Sequence, residues 1–197
     1  MGGHADRGVH RAPRHGGGLS TGFERSLGEE RNVAEAFQGY SGQAFSLRGE
    51  KGRFVLPPAF RNAVKASSEG KTLCLTTHDK WDCLVGFGLS RKAEVEALLD
   101  REEEAAYKFG RDFDRDIRSI QLTNFETMPF DDSGRFIMPE FLRGLGGIDD
   151  AVFFLSAGRV FTLWNPAKLY EMGHEFAMPK AACRALEEEA RAKGKKK

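Results

Sequence analysis

GEKGRFVLPPAFRNAV, residues 49–64, and DDSGRFIMPEFLRGLG, residues 131–146, are two versions of one pattern at a constant offset of 82 residues. Gly52 matches Gly134, Arg53 matches Arg135, Phe54 matches Phe136, Pro57 matches Pro139 and Arg61 matches Arg143, with Val55/Ile137 and Leu56/Met138 as conservative pairs. Agreement this dense over so short a window marks an internal duplication, and a duplication governs how every neighbouring segment is read.

Working outward, each copy continues in the same manner. A proline opens a helical turn, Pro57–Val64 in the first copy and Pro139–Leu145 in the second. Proline suits that position because its missing N–H would have no intrahelical partner. Two apolar strands follow each turn: TLCLTT (72–77) and DCLVGF (82–87), then AVFFLS (151–156) and RVFTLW (159–164). AFSLRGE (44–50) reads as the opening strand of the first copy, and SIQLTNFETMPF (119–130) as its echo in the second. Between the copies, LSRKAEVEALLDREEEAAYKF (89–109) carries apolar residues on one face, the pattern of an amphipathic helix, with Ser90 as its expected N-cap.

The expected fold class is thus mainly β with short helices (α+β). Two β-rich units, residues 37–88 and 117–166, are joined by a linking helix over 89–110, with C-terminal helices and a basic tail over 167–197. Residues 1–34, rich in Gly, Arg and His and without periodicity, are expected to be a disordered extension. Each unit is too small to close its own sheet edges, and open edges invite pairing with a neighbour, so a homo-oligomer is expected.

Composition limits the function classes. No run of about 18 apolar residues is present and the N-terminal stretch lacks the apolar region of a signal peptide, so neither a membrane span nor export is expected; the cytoplasm is. Cys74, Cys83 and Cys183 form no C-x-x-C pair, which argues against a disulfide framework or a structural zinc. THDKWDC (77–83) clusters His, Asp and Cys, but at no standard ligand spacing, and reads as a polar turn. No cofactor motif, nucleophile triad or P-loop stands out, so an enzyme is not expected. Trp81 and Trp164 read as packing residues. Net charge is only +1. From Phe37 to Arg191 roughly 21 Lys and Arg face 24 Asp and Glu, while the terminal KGKKK is basic. Any contact with nucleic acid must therefore come from a local patch.

That patch is the repeated turn. Glycine supplies the positive φ of a tight hairpin, so backbone geometry alone explains Gly52 and Gly134. The arginines that follow them, Arg53 and Arg135, are not required by the turn. Contact with nucleic acid explains their presence in both copies; an exposed hairpin charge is the plainer alternative. Lys51 adds a further cation to the first turn, and Asp131, four residues before Arg135, can orient the guanidinium or cap the turn.

GEKGRFVLPPAFR and DDSGRFIMPEFLR resemble the paired D-x-x-x-R modules of the MraZ family, bacterial regulators built from two AbrB-like swapped-hairpin units. The likeness runs from about Phe37 to Tyr170 and includes LCLTT, VFFLS and FTLWNP. It implies tandem modules forming a pseudo-two-fold, double-psi-type barrel. It also implies a nucleoid-associated transcriptional regulator that assembles into rings on direct repeats of double-stranded DNA upstream of the division and cell-wall gene cluster. The DNA-contacting residues it implies are Lys51, Gly52 and Arg53 with Asp131, Gly134 and Arg135. The first copy departs from the pattern, having Gly49 where the second has Asp131. A ring-forming protein that keeps the fold but binds a protein partner is the competing expectation.

Overall fold

The computed structural model describes residues 39–68 and 70–194. The first repeat supplies β1 (Gln43–Leu47), β2 (Arg53–Val55), α1 (Pro58–Ala66), β3 (Thr72–Thr77) and β4 (Leu84–Phe87). A 3-10 turn (Leu89–Glu94) leads into α2 (Val95–Lys108) and then α3 (Arg115–Thr123). The second repeat supplies β5 (Glu126–Pro129), β6 (Arg135–Ile137), α4 (Glu140–Gly146), β7 (Ala151–Ala157) and β8 (Val160–Trp164). The chain then forms α5 (Pro166–Glu171) and, after another 3-10 turn (His174–Phe176), α6 (Ala177–Gly194). The extension over residues 1–34, the start of the first unit at Phe37 and the last three lysines of the tail lie outside the described residues.

The strand that opens each repeat pairs with the other repeat. The large antiparallel sheet has the order β1-β7-β8-β4-β3-β5, so β1 completes the β7–β8 hairpin and β5 completes the β3–β4 hairpin. β2 and β6 pair with one another in a separate two-stranded ribbon, Phe54 opposite Phe136. The exchange has an approximate two-fold axis between β4 and β8. The exchange covers the outer edges of β7 and β3 with the other repeat's opening strand and leaves β1 and β5 as the outermost strands of the sheet.

Period-two alternation explains why both faces of the sheet are covered. In β7, Val152 and Phe154 point into one core and Phe153 and Leu155 into another. The first core gathers Phe54, Leu56, Phe60, Leu75, Phe136, Met138, Phe154 and Phe161 beneath the ribbon, α1 and α4. The second packs Phe153 and Trp164 against Leu169, Phe176 and Cys183 of the C-terminal segment. Trp164 is fully buried, and its indole N–H donates to Thr162 Oγ1 at 2.8 Å. Trp81 lies over the edge of this core against Trp164 and Phe176. The THDKWDC segment is a turn closed by His78, whose Nδ1 accepts the backbone N–H groups of Lys80 and Trp81. Desolvation lowers the His78 pKa from its ordinary value.

Three expectations need correction. Ser119–Thr123 belongs to α3 and is not the start of a strand; the second repeat's opening strand is only Glu126–Pro129. The linker consequently holds two helices, and residues 117–123, expected within the second unit, pack with α2. A local cap and ion pairs to α2 hold α3 in place. Asp114 caps α3 by accepting from Ile117 N, Arg115 meets Glu96, Asp100 and Glu103, and Arg118 meets Glu102 and Asp79. Local periodicity cannot register partners that far away in sequence. Ser90, finally, lies inside the 3-10 turn; Glu94 holds the N-cap position of α2 and makes no side-chain cap.

Candidate nucleic-acid interface

The repeated motif builds one surface from both halves of the chain. In the ribbon, Arg53 stands opposite Ile137 and Val55 opposite Arg135, while the Phe54/Phe136 pair turns inward and is buried. The outer face is therefore a four-residue checkerboard of two guanidiniums and two β-branched side chains. Opposite side chains in such a ladder lie about 5 Å apart and diagonal ones about 7–8 Å. Arg135 is exposed and Arg53 half-buried, and Val55 and Ile137 are 40% and 60% exposed.

Each strand of the ribbon is entered through a turn with the same backbone bonds. Gly49 N donates to Arg53 O at 2.8 Å and Gly52 N to Gly49 O at 3.2 Å. In the second turn Asp131 N donates to Arg135 O at 3.1 Å and Gly134 N to Asp131 O at 2.8 Å. Gly52 and Gly134 adopt φ of 71° and 80°, which L side chains rarely tolerate. Lys51 takes φ 57° without that freedom and is exposed at the first turn.

Asp131 does both jobs open to a carboxylate at this position. Its Oδ1 accepts Ser133 N and Arg135 N, both at 2.9 Å, and its Oδ2 accepts Arg135 Nε at 2.6 Å. The bond from the Arg135 backbone, ahead of that from its side chain, holds the Asp131 carboxyl below the usual carboxylate range. Because Nε is the nitrogen engaged, the two terminal nitrogens of Arg135 remain to meet an outside acceptor. The Arg53 side chain makes no hydrogen bond or ion pair among the described residues.

The first repeat braces the second turn. Arg61 Nη1 donates to Asp132 O at 2.5 Å, Lys71 Nζ lies 2.5 Å from Asp132 Oδ1, and Leu56 N donates to Gly134 O at 2.7 Å. The Lys71 bond lowers the Asp132 pKa. All six residues singled out in sequence thus lie in the two turns or on the strands they feed. Sequence reasoning missed Val55 and Ile137, although the signal was present: RFV and RFI alternate, and an inward phenylalanine forces its neighbours outward. It also missed the bracing by Arg61 and Lys71, for which no local pattern exists.

Fold and surface together define a class: an internally duplicated α+β protein whose repeats exchange strands and join their arginine motifs in one exposed β-ribbon. Comparison with known proteins agrees. The transcriptional regulator MraZ of Rhodospirillum rubrum is 33% identical over 120 residues, 60% of this chain and 74% of the relative. MraZ of Nitratidesulfovibrio vulgaris is 28% identical over 129 residues, covering 66% of this chain and 82% of the relative, and MraZ of Gluconobacter oxydans is 29% identical over 118 residues. No family model matches the sequence. The chain belongs to the MraZ family.

Proposed function

We propose that this protein is a sequence-specific DNA-binding transcriptional regulator that acts on the division and cell-wall gene cluster and associates with the nucleoid through its DNA. The observation that carries the reading is the ribbon itself: two guanidiniums from distant parts of the chain stand on one exposed face, with Lys51 at its edge. The major groove of B-DNA admits a two-stranded β-ribbon and offers the paired acceptors of guanine that arginine matches. The transcriptional role named for its relatives supports the same reading. In fold terms the proposal takes the two repeats as AbrB-like swapped hairpins whose sheet and ribbon together form a double-psi-type barrel. No catalysis and no cofactor is part of it.

Self-association belongs to the proposal because each subunit offers few cations to DNA. Several subunits engaging repeated upstream sites at once gain affinity through effective concentration without any new contact. A ring of subunits on direct repeats meets that need. A different observation favours a second reading, in which the fold serves a protein partner: Tyr107, Phe109, Ile117 and Ile120 of the α2–α3 segment are between 55% and 89% exposed. A gel shift against double-stranded DNA from upstream of the protein's own gene, at stated salt and alongside light scattering, separates the two. Specific retardation by an oligomer is the expected result. An oligomer that ignores DNA would defeat the DNA-binding reading and leave the partner-binding one standing.

A further inference from the structure

The aliphatic half of the checkerboard is as exposed as the arginine half. Val55 and Ile137 occupy equivalent registers of the two repeats and the same outward face, each directly opposite an arginine. Lone exposed aliphatics are ordinary. Two at matched positions on a ribbon only three residues long, interleaved with guanidiniums, make a patterned surface. An apolar protein patch is a poor occupant, because covering Val55 and Ile137 would also strip water from Arg53 and Arg135 without supplying acceptors. The major-groove edge of a duplex supplies both chemistries: guanine N7 and O6 for arginine, and the thymine C5-methyl for an apolar side chain.

We infer that Val55 and Ile137 are specificity residues that read thymine methyl groups on the groove face where Arg135 meets a base and Arg53 the backbone. This rests on the DNA-binding reading above and adds a base preference to it. Val55 and Ile137 lie on a diagonal of about 7–8 Å. That is close to two base-pair steps of about 3.4 Å each, so the two side chains address methyls on separate base pairs. Each methyl covered contributes about fourfold in affinity, which is ~0.8 kcal/mol for one buried carbon converted at 1.4 kcal/mol per tenfold.

The test removes the methyl and nothing else. A duplex from upstream of the protein's gene is compared by fluorescence anisotropy with the same duplex carrying deoxyuridine at every thymine, using the full chain and its Val55→Ala, Ile137→Ala and double variants. Val55→Thr and Ile137→Thr, which keep the β-branched shape, guard against loss of folding, and circular dichroism checks each variant. The wild type is expected to bind the thymine duplex about fourfold tighter per methyl read, and the double alanine variant to bind both duplexes alike. Equal binding of the two duplexes by the wild type would overturn the inference while leaving DNA binding intact. A thymine preference that survives in the double variant would also overturn it. So would a change of assembly state in light scattering with the preference untouched, since the two side chains would then belong to a protein contact. Failure of the wild type to bind either duplex would defeat the DNA-binding reading itself.

Discussion

The two turns of the molecule have one backbone and two chemistries. Gly49–Arg53 and Asp131–Arg135 close with the same pair of main-chain hydrogen bonds and the same positive-φ glycine. Only the second has a carboxylate at its first position, where it receives two backbone N–H groups and the arginine Nε; the first has Gly49 there, with Glu50 one residue later. The first closes without it. Glycine and the ladder therefore build the turn, and the aspartate aims the arginine. An arginine already held in place loses less side-chain freedom on meeting a ligand, so the two repeats should contribute unequally to recognition even though they are joined in one ribbon.

The largest expected difference concerns stability. A Cβ at Gly134 would lie 2.5 Å from Leu56 O, a backbone atom that cannot yield, whereas one at Gly52 would meet the mobile end of Arg48 at 2.9 Å. Gly134→Ala should cost about 3 kcal/mol or more and Gly52→Ala about 1–2 kcal/mol, the left-handed penalty alone. Denaturant melts of the two variants check this, and equal losses would break the claim that the second turn is the more tightly built.

Next come the arginines. Arg135→Ala should cost about 1–3 kcal/mol of specific affinity per subunit and relax sequence preference. Arg53→Ala should weaken binding to all sequences alike and lower the salt slope by about one. Cognate and scrambled duplexes titrated across a salt series distinguish the two, and equal effects would remove the asymmetry. A gain-of-function variant sharpens it. The backbone at Gly49 is extended, and a Cβ there makes only an ordinary contact at 3.6 Å with Arg53 O. Gly49→Asp can therefore supply the missing carboxylate and should raise specific affinity by up to about 1 kcal/mol, the ordering cost of one long side chain.

The smallest effect is one of pH. Asp131 titrates below the ordinary carboxylate range in the folded chain, so what it adds to the turn is complete above the unfolded pKa of about 4 and is lost as pH falls through the lower, folded value. Asp132, paired with Lys71, shifts in the same direction. Following the Gly134 and Gly52 amide signals by NMR through that acid window should show the second turn moving and the first unmoved. Parallel titration of both would assign the change to general acid unfolding.

Much of this was legible in the sequence because duplication is a global signal carried by local residues. The paired glycines, arginines and prolines located both turns and both short helices, and the apolar runs located β3, β4, β7 and β8. The exchange of β1 and β5 was not legible: either repeat's opening strand has the same alternation whichever hairpin it joins, so pattern alone cannot choose between partners. The α3 segment was misread because SIQLT is short and apolar enough to suit a strand, whereas in the fold it is the second half of a helix capped by Asp114 and tied to acidic residues of α2 by Arg115 and Arg118. At the site, the sequence displayed every charged group of the motif, and the alternation in RFV and RFI pointed Val55 and Ile137 outward, but that the two motifs share one ribbon was not legible.

The central claim is that this ribbon is the DNA-binding face. The most direct test is the Arg53→Ala, Arg135→Ala double variant, titrated across salt with the duplex from upstream of its gene beside the wild type. Arg135 is exposed and Arg53 half-buried, and neither belongs to the core, so circular dichroism and melting should be nearly unchanged. The account predicts that the preference for the cognate duplex disappears and that the salt slope falls by about one per subunit engaged. A folded double variant that keeps wild-type affinity, preference and slope would contradict it.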